Sequence, residues 1–77
     1  MPKYFFHVHN GRSHNDTVGD ELPNALAAWE EATTIAGQLI RDLDGKLEPG
    51  QKLSIAVTDE AAKLLYAIRI ETESYEQ

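Results

Sequence analysis

From Tyr4 to His9 the side chains alternate, with Tyr4, Phe6 and Val8 on one side and Phe5, His7 and His9 on the other. Aromatic and β-branched residues at a period of two predict a strand. Asn10-Gly11 follows, a pair able to take the positive φ that a two-residue type I′ hairpin turn requires. A second strand is expected from Arg12 to Thr17. It is polar throughout, Arg-Ser-His-Asn-Asp-Thr, which suits a short strand at a sheet edge. Val18-Gly19-Asp20-Glu21 reads as a bend that leads into a helix.

The period changes after Leu22-Pro23-Asn24. Pro23 blocks backward propagation and Asn24 can cap the free amides of a first turn. At about 100° per residue, Ala25, Ala28, Ala32, Ile35, Ala36, Leu39 and Leu43 form a stripe about 100° wide, the pattern of a core-facing helix. The helix is predicted over about 24–43, with Gly45 as its stop. Its alanines make the contact face shallow. Leu26, Trp29 and Ile40 fall at the edge of the stripe or beyond it, and Trp29 is expected to wrap over a sheet edge.

Period two resumes beyond the Pro49-Gly50 loop. Leu53, Ile55 and Val57 alternate with Ser54, Ala56 and Thr58; after a connection at Asp59 to Lys63, Tyr66, Ile68 and Ile70 alternate with Leu65, Ala67 and Arg69. The chain is thus expected to be a single α+β domain over 1–77: a ββαββ two-layer sandwich, with one helix on one face of a mostly antiparallel four-stranded sheet. Its hairpins span about 3–17 and 52–70, and an acidic tail covers 71–77. The strands from Tyr4 and Leu64 are the most apolar on both faces and are candidates for the centre.

Residues of this chain also resemble a known family. Met1-Pro2-Lys3-Tyr4-Phe5-Phe6-His7, then Asn10-Gly11, Asp16-x-x-Gly19-x-Glu21-Leu22-Pro23, an alanine-rich helix and Val57-Thr58-Asp59-Glu60 are similar to a domain-of-unknown-function family of short bacterial proteins. Its members commonly begin Met-Pro-Arg-Tyr-Phe-Phe-His. The resemblance implies no activity, cofactor or catalytic residue. Members often carry Asp-Gly in both hairpin turns; Asn10-Gly11 serves that geometry, whereas Ala61-Ala62 does not, so the second hairpin needs a longer or different turn.

Composition changes the picture in three ways. At 77 residues only about 60% of the chain's surface is buried on folding, so the core is thin and association with another chain is a natural source of further stability. There is no cysteine, hence no disulfide and no thiolate nucleophile. The formal charge of −6 is uneven: residues 1–15 carry +2 and the remainder −8. Two cations in the only positive segment are too few to hold a phosphate backbone, so nucleic acid is not expected as a partner. Neither a signal-like start nor a membrane-length apolar run is present, and a cytoplasmic protein with no membrane partner is expected.

Candidate chemistry gathers on the first hairpin. With Asn10-Gly11 at its centre, His7 opposes His14 and His9 opposes Arg12, so His7, His9 and His14 could converge on Zn²⁺ or another divalent transition metal, with Asp16 as a further ligand. The competing reading is a solvated hairpin face with no cofactor. Ser13, His14 and Asp16 have the residue types of a catalytic triad, but neighbours on a strand point to opposite faces, and no phosphate-binding glycine loop is present. An enzyme is therefore not expected. The stronger signal is apolar surface left over on the sheet face away from the helix. Phe5, His7, His9, Leu65 and Ala67 are the predicted interaction surface, for protein docking or self-association.

Overall fold

The structure, a computed structural model, describes residues 1–75; the last two residues of the predicted acidic tail, Glu76 and Gln77, lie outside the described residues. Five strands and one helix follow in the order β1 (Lys3–His9), β2 (Ser13–His14), β3 (Asp20–Glu21), α1 (Ala25–Leu43), β4 (Lys52–Thr58) and β5 (Leu64–Glu71). All pairings are antiparallel, and the sheet runs β2-β1-β4-β5 with β3 also paired to β1. This is the α+β architecture expected from the alternating periods. The centre is held by β1 and β4, whereas β5, a candidate for the centre by composition, lies at an edge. β4 is the strand whose inward residues, Leu53, Ile55 and Val57, are all buried.

α1 begins where the local chemistry places it: the Asn24 side chain accepts from the Ala27 amide at 2.9 Å. The helix ends at Asp44, which takes a left-handed conformation with φ 47° and donates its amide to the Arg41 carbonyl. Ala28 and Ala32 are fully buried, packed in one cluster with Tyr4, Phe6 and Val57. With only a methyl group at those positions, the helix backbone can lie close to the sheet. It rests on β4 and β5 and covers one face of the sheet. Trp29 wraps outward over β5, its ring centroid 5.3 Å from that of Tyr66 at an interplanar angle of 51°.

The first hairpin departs from its predicted register. His9 pairs with Ser13 and Val8 with His14, so three residues, Asn10, Gly11 and Arg12, form the loop. A type I′ turn needs positive φ at two successive positions, and here Gly11 alone has it, at 95°. The second strand is short and lies at the sheet edge, as its polar composition suggested, and pairs over only two of the residues from Arg12 to Thr17. After two paired residues the chain leaves the sheet at Asn15 and returns at Asp20, where Tyr4 pairs with Asp20 and Lys3 with Glu21. The predicted bend at Asp20-Glu21 is thus itself a strand.

In the second hairpin, Val57 faces Tyr66 but Thr58 faces Leu64, so Leu65 is an extra residue in a β-bulge. Its position corrects the predicted interaction surface. The bulge turns Leu65 inward, where it packs against the core cluster, and leaves Leu64 on the outer side, 57% exposed. The hairpin closes through a longer turn, as Ala61-Ala62 required. Asp59 Oδ1 accepts from the amides of Ala61 and Lys63 at 2.8 and 2.9 Å, and Ala62 sits at φ 62°.

A left-handed φ costs a residue with a Cβ about 1–2 kcal/mol, and the extra freedom of glycine in the unfolded chain offsets part of that. Ala62→Gly is therefore expected to stabilise the domain by about 0.5–1 kcal/mol. Urea unfolding of the two proteins, with unchanged m-values, checks this; a destabilised variant contradicts it.

Candidate functional site

The face of the sheet opposite α1 is built from three strands in register. Directly opposed residues share a face, which yields the rows Phe5–Thr58–Leu64, His7–Ala56–Ala67 and His9–Ser54–Arg69, with Lys52–Glu71 beyond them. The middle of this outer face is floored by two alanines. Ala67 is exposed and Phe5, His7 and Ala56 are half-buried. Of the predicted surface residues, Phe5, His7, His9 and Ala67 are together here and Leu65 is not; Leu64 takes its place.

The segment between β2 and β3 forms a strap beside this face. Along β1, the Phe6 amide falls between the residues paired by β3 and those paired by β2, and the Asp16 carboxylate supplies its acceptor at 3.2 Å. The other carboxylate oxygen accepts from the amides of Val18 and Gly19, both at 3.0 Å. Asp16 thereby fixes its own loop and completes the bonding of β1. Gly19 reaches the outer face: a Cβ there would lie 2.8 Å from Lys3 Cγ and 2.9 Å from Phe5 Cε1, and its φ is 76°. Glycine allows the strap to close on the Phe5 ring.

His7 is held from both sides. Its Nδ1 accepts from the Asp16 amide at 3.1 Å, and its Nε2 lies 3.0 Å from Thr58 Oγ1. An acceptor nitrogen carries no proton, so the neutral ring has its hydrogen on Nε2 and donates to Thr58. Partial burial by itself would raise the Asp16 pKa. Bonds from the amides of Gly19, Phe6 and Val18, with the nearby His7, outweigh that and hold the carboxyl below its ordinary value. Phe5, His7, Asp16 and Thr58 together line a shallow pocket of about 240 Å³ at the outer face. A second hollow of about 280 Å³, at the other end of the face, is lined by His9, Ser54, Arg69 and Lys52 with Glu71.

The three histidines do not come together. His14 opposes Val8 and so lies on the other side of the hairpin from His7 and His9. His9 Nδ1 is 3.1 Å from Ser13 Oγ, and His7 is engaged as described. Among the described residues, no group of three or more histidine, cysteine or acidic side chains is arranged to hold a metal ion. The physical reason is the three-residue loop. One residue more than the type I′ turn moves the pairing by one position, and every side chain of the second strand changes face.

Sequence reasoning named Asp16 as a metal ligand and missed its role as the clasp of the strap. The signal was present as Asp16-x-x-Gly19, in which an aspartate accepts from amides two and three residues on. Leu64 was missed because the bulge that places it leaves no mark in the alternation.

A single α1 over an open antiparallel sheet defines a small α+β domain of two layers. The chain belongs to the domain-of-unknown-function family DUF6894, whose model matches residues 3–71, and so takes in every element from β1 to the end of β5. No curated protein and no solved structure matches it significantly.

Loss of the Asp16 carboxylate leaves the partly buried Phe6 amide without its acceptor, and Asp16→Ala is expected to cost about 1–3 kcal/mol. Because the folded-state pKa of Asp16 is lowered, its contribution is complete above the ordinary carboxylate range and is lost as pH falls through the folded value. Denaturant unfolding of both proteins at pH 7 and at successively lower pH should show the gap between them closing; a constant gap would falsify this account. For His7, ¹⁵N spectra of the imidazole at neutral or higher pH are expected to show the Nε2–H tautomer, and an Nδ1–H ring would contradict the strap geometry.

Proposed function

We propose that this domain is a protein-interaction module whose docking surface is the outer face of the sheet. One observation carries the reading: α1 covers a single face, and the opposite face offers adjoining rows with Phe5, Leu64, Ala56 and Ala67 beside His7 and His9. A floor of two alanines between taller neighbours suits an inserted side chain. Polar groups are available at the rim, where His9, Ser54 and Arg69 stand in one row. A buried apolar centre with a polar rim is the usual anatomy of a docking surface. The same arrangement favours a protein over a nucleic acid, since the chain as a whole is acidic.

A photo-reactive amino acid at Ala67, in the domain expressed in its native host, tests the assignment. A discrete adduct of higher mass is expected from that position and from Ala56. Thr34, exposed on the helix, is the control and is expected to give none. Absence of an adduct at Ala67, or the same adducts from Thr34, counts against the outer face as the docking surface.

A further inference from the structure

We infer that Asn10 is a site of spontaneous covalent modification, where the chain closes on itself as a succinimide and reopens as an aspartyl or isoaspartyl residue. The site lies in the loop that joins β1 to β2 and does not depend on the docking surface. In the first step the backbone nitrogen of Gly11 gives up its proton to hydroxide and attacks Cγ of Asn10. An N–Cγ bond forms, and the Cγ–Nδ2 bond breaks with its nitrogen leaving as ammonia. Water then opens the ring. Where it breaks the new N–Cγ bond an aspartyl residue results; where it breaks the original peptide bond the backbone afterwards runs through Cβ, which is the isoaspartyl form and one carbon longer. Water is the only co-reactant and nothing is oxidised or reduced.

The fold separates Asn10 from the other two asparagines, Asn15 and Asn24. Ring closure needs an unhindered amide on the following residue, and that amide and the asparagine side chain must both be able to move. Gly11 has no Cβ to shield its nitrogen, and the space where a Cβ would stand is open. Asn10, Gly11 and Arg12 are all exposed. The loop is held by a bond from the Asn10 amide to the Arg12 carbonyl at 3.1 Å, and among the described residues no bond engages the Gly11 amide. At Asn15 the following amide, that of Asp16, is donated to His7 Nδ1 at 3.1 Å. At Asn24 the side chain itself is held, accepting from the Ala27 amide at 2.9 Å, and the next residue, Ala25, carries a Cβ.

Conversion replaces a neutral amide by a carboxylate and so adds one negative charge to a chain that carries −6. The new charge stands beside His9, which lines the hollow it shares with Lys52, Ser54 and Arg69. The isoaspartyl form has a second effect. β2 is held to β1 by two residue pairs, Val8–His14 and His9–Ser13, and so short a ladder has little to resist a longer loop.

Folded protein and protein unfolded in guanidinium chloride, aged side by side at neutral and mildly alkaline pH, test the assignment. Peptide fragmentation by mass spectrometry measures conversion at each asparagine separately and distinguishes the isoaspartyl form by its longer backbone. Asn10 is expected to convert in the folded protein, and faster at the higher pH, because the attacking nitrogen must lose its proton. A hydrogen bond must open before Asn15 or Asn24 reacts, so folding is expected to slow those two by about tenfold and Asn10 by less. The ¹⁵N spectrum of the aged protein is expected to shift at His9, Ser13 and His14. Asn10→Gln, whose side chain is one carbon too long for the five-membered ring, is expected to lose both the conversion and the shift; circular dichroism confirms that this variant folds. An Asn10 that stays unconverted in the folded protein overturns the proposal. So does folding that slows Asn10 as much as Asn15 and Asn24, or a spectral shift that persists in Asn10→Gln.

Discussion

The close approach of α1 to the sheet, at Ala28 and Ala32, is the constraint on which the rest of this domain depends. Both alanines are fully buried in one cluster with Val57, Tyr4 and Phe6. Interiors are packed to near-crystalline density, so the space over these two methyl groups is filled from the sheet, by Tyr4, Phe6 and Val57. The helix rests on β4 and β5, and its largest side chain stands at its margin. Trp29 covers Tyr66 from the side, and Leu65 is brought inward by the bulge to fill the end of the contact. A domain built this way has one well-covered face and one that nothing among the described residues covers fully.

On that second face, local polar chemistry does part of the work that a further layer would do. Asp16 takes the Phe6 amide and two amides of its own loop, and its backbone amide is taken by His7. The strap that results lies against Phe5 through Gly19 and limits how much of that ring meets solvent. Structure and electrostatics are coupled here: the amide bonds that hold the carboxyl below its ordinary pKa are the same bonds that shape the rim of the pocket beside His7.

The outer face and one flank of α1 express one shortage at two places. A chain of this length cannot bury enough apolar surface to close every side of a two-layer structure. Among the exposed large hydrophobic residues, Leu64 stands in the outer rows and Leu26, Trp29 and Ile40 on one flank of α1, whereas Met1, Val18 and Tyr75 lie elsewhere.

Much of this fold was legible in the chain because it depends on local patterns. Period two marks β1, β4 and β5; the alanine stripe marks α1; Asn24 caps the helix; and Ala61-Ala62 excludes a tight second turn. The placement of Phe5, His7, His9 and Ala67 on one face follows from the same alternation. What only the tertiary structure decided is where alternation is interrupted. In the first hairpin loop Gly11 alone takes positive φ, the loop gains a residue, and His14 turns away from His7; a bulge at Leu65 exchanges it with Leu64; and the polar second strand leaves the sheet after His14, with Asp16 reaching Phe6. Each is a shift of one or a few residues. The sequence determines which residues alternate, but the count of residues in a turn and the partner each one meets are set by non-local pairing, and at a period of two a single added residue reverses the face of all that follow.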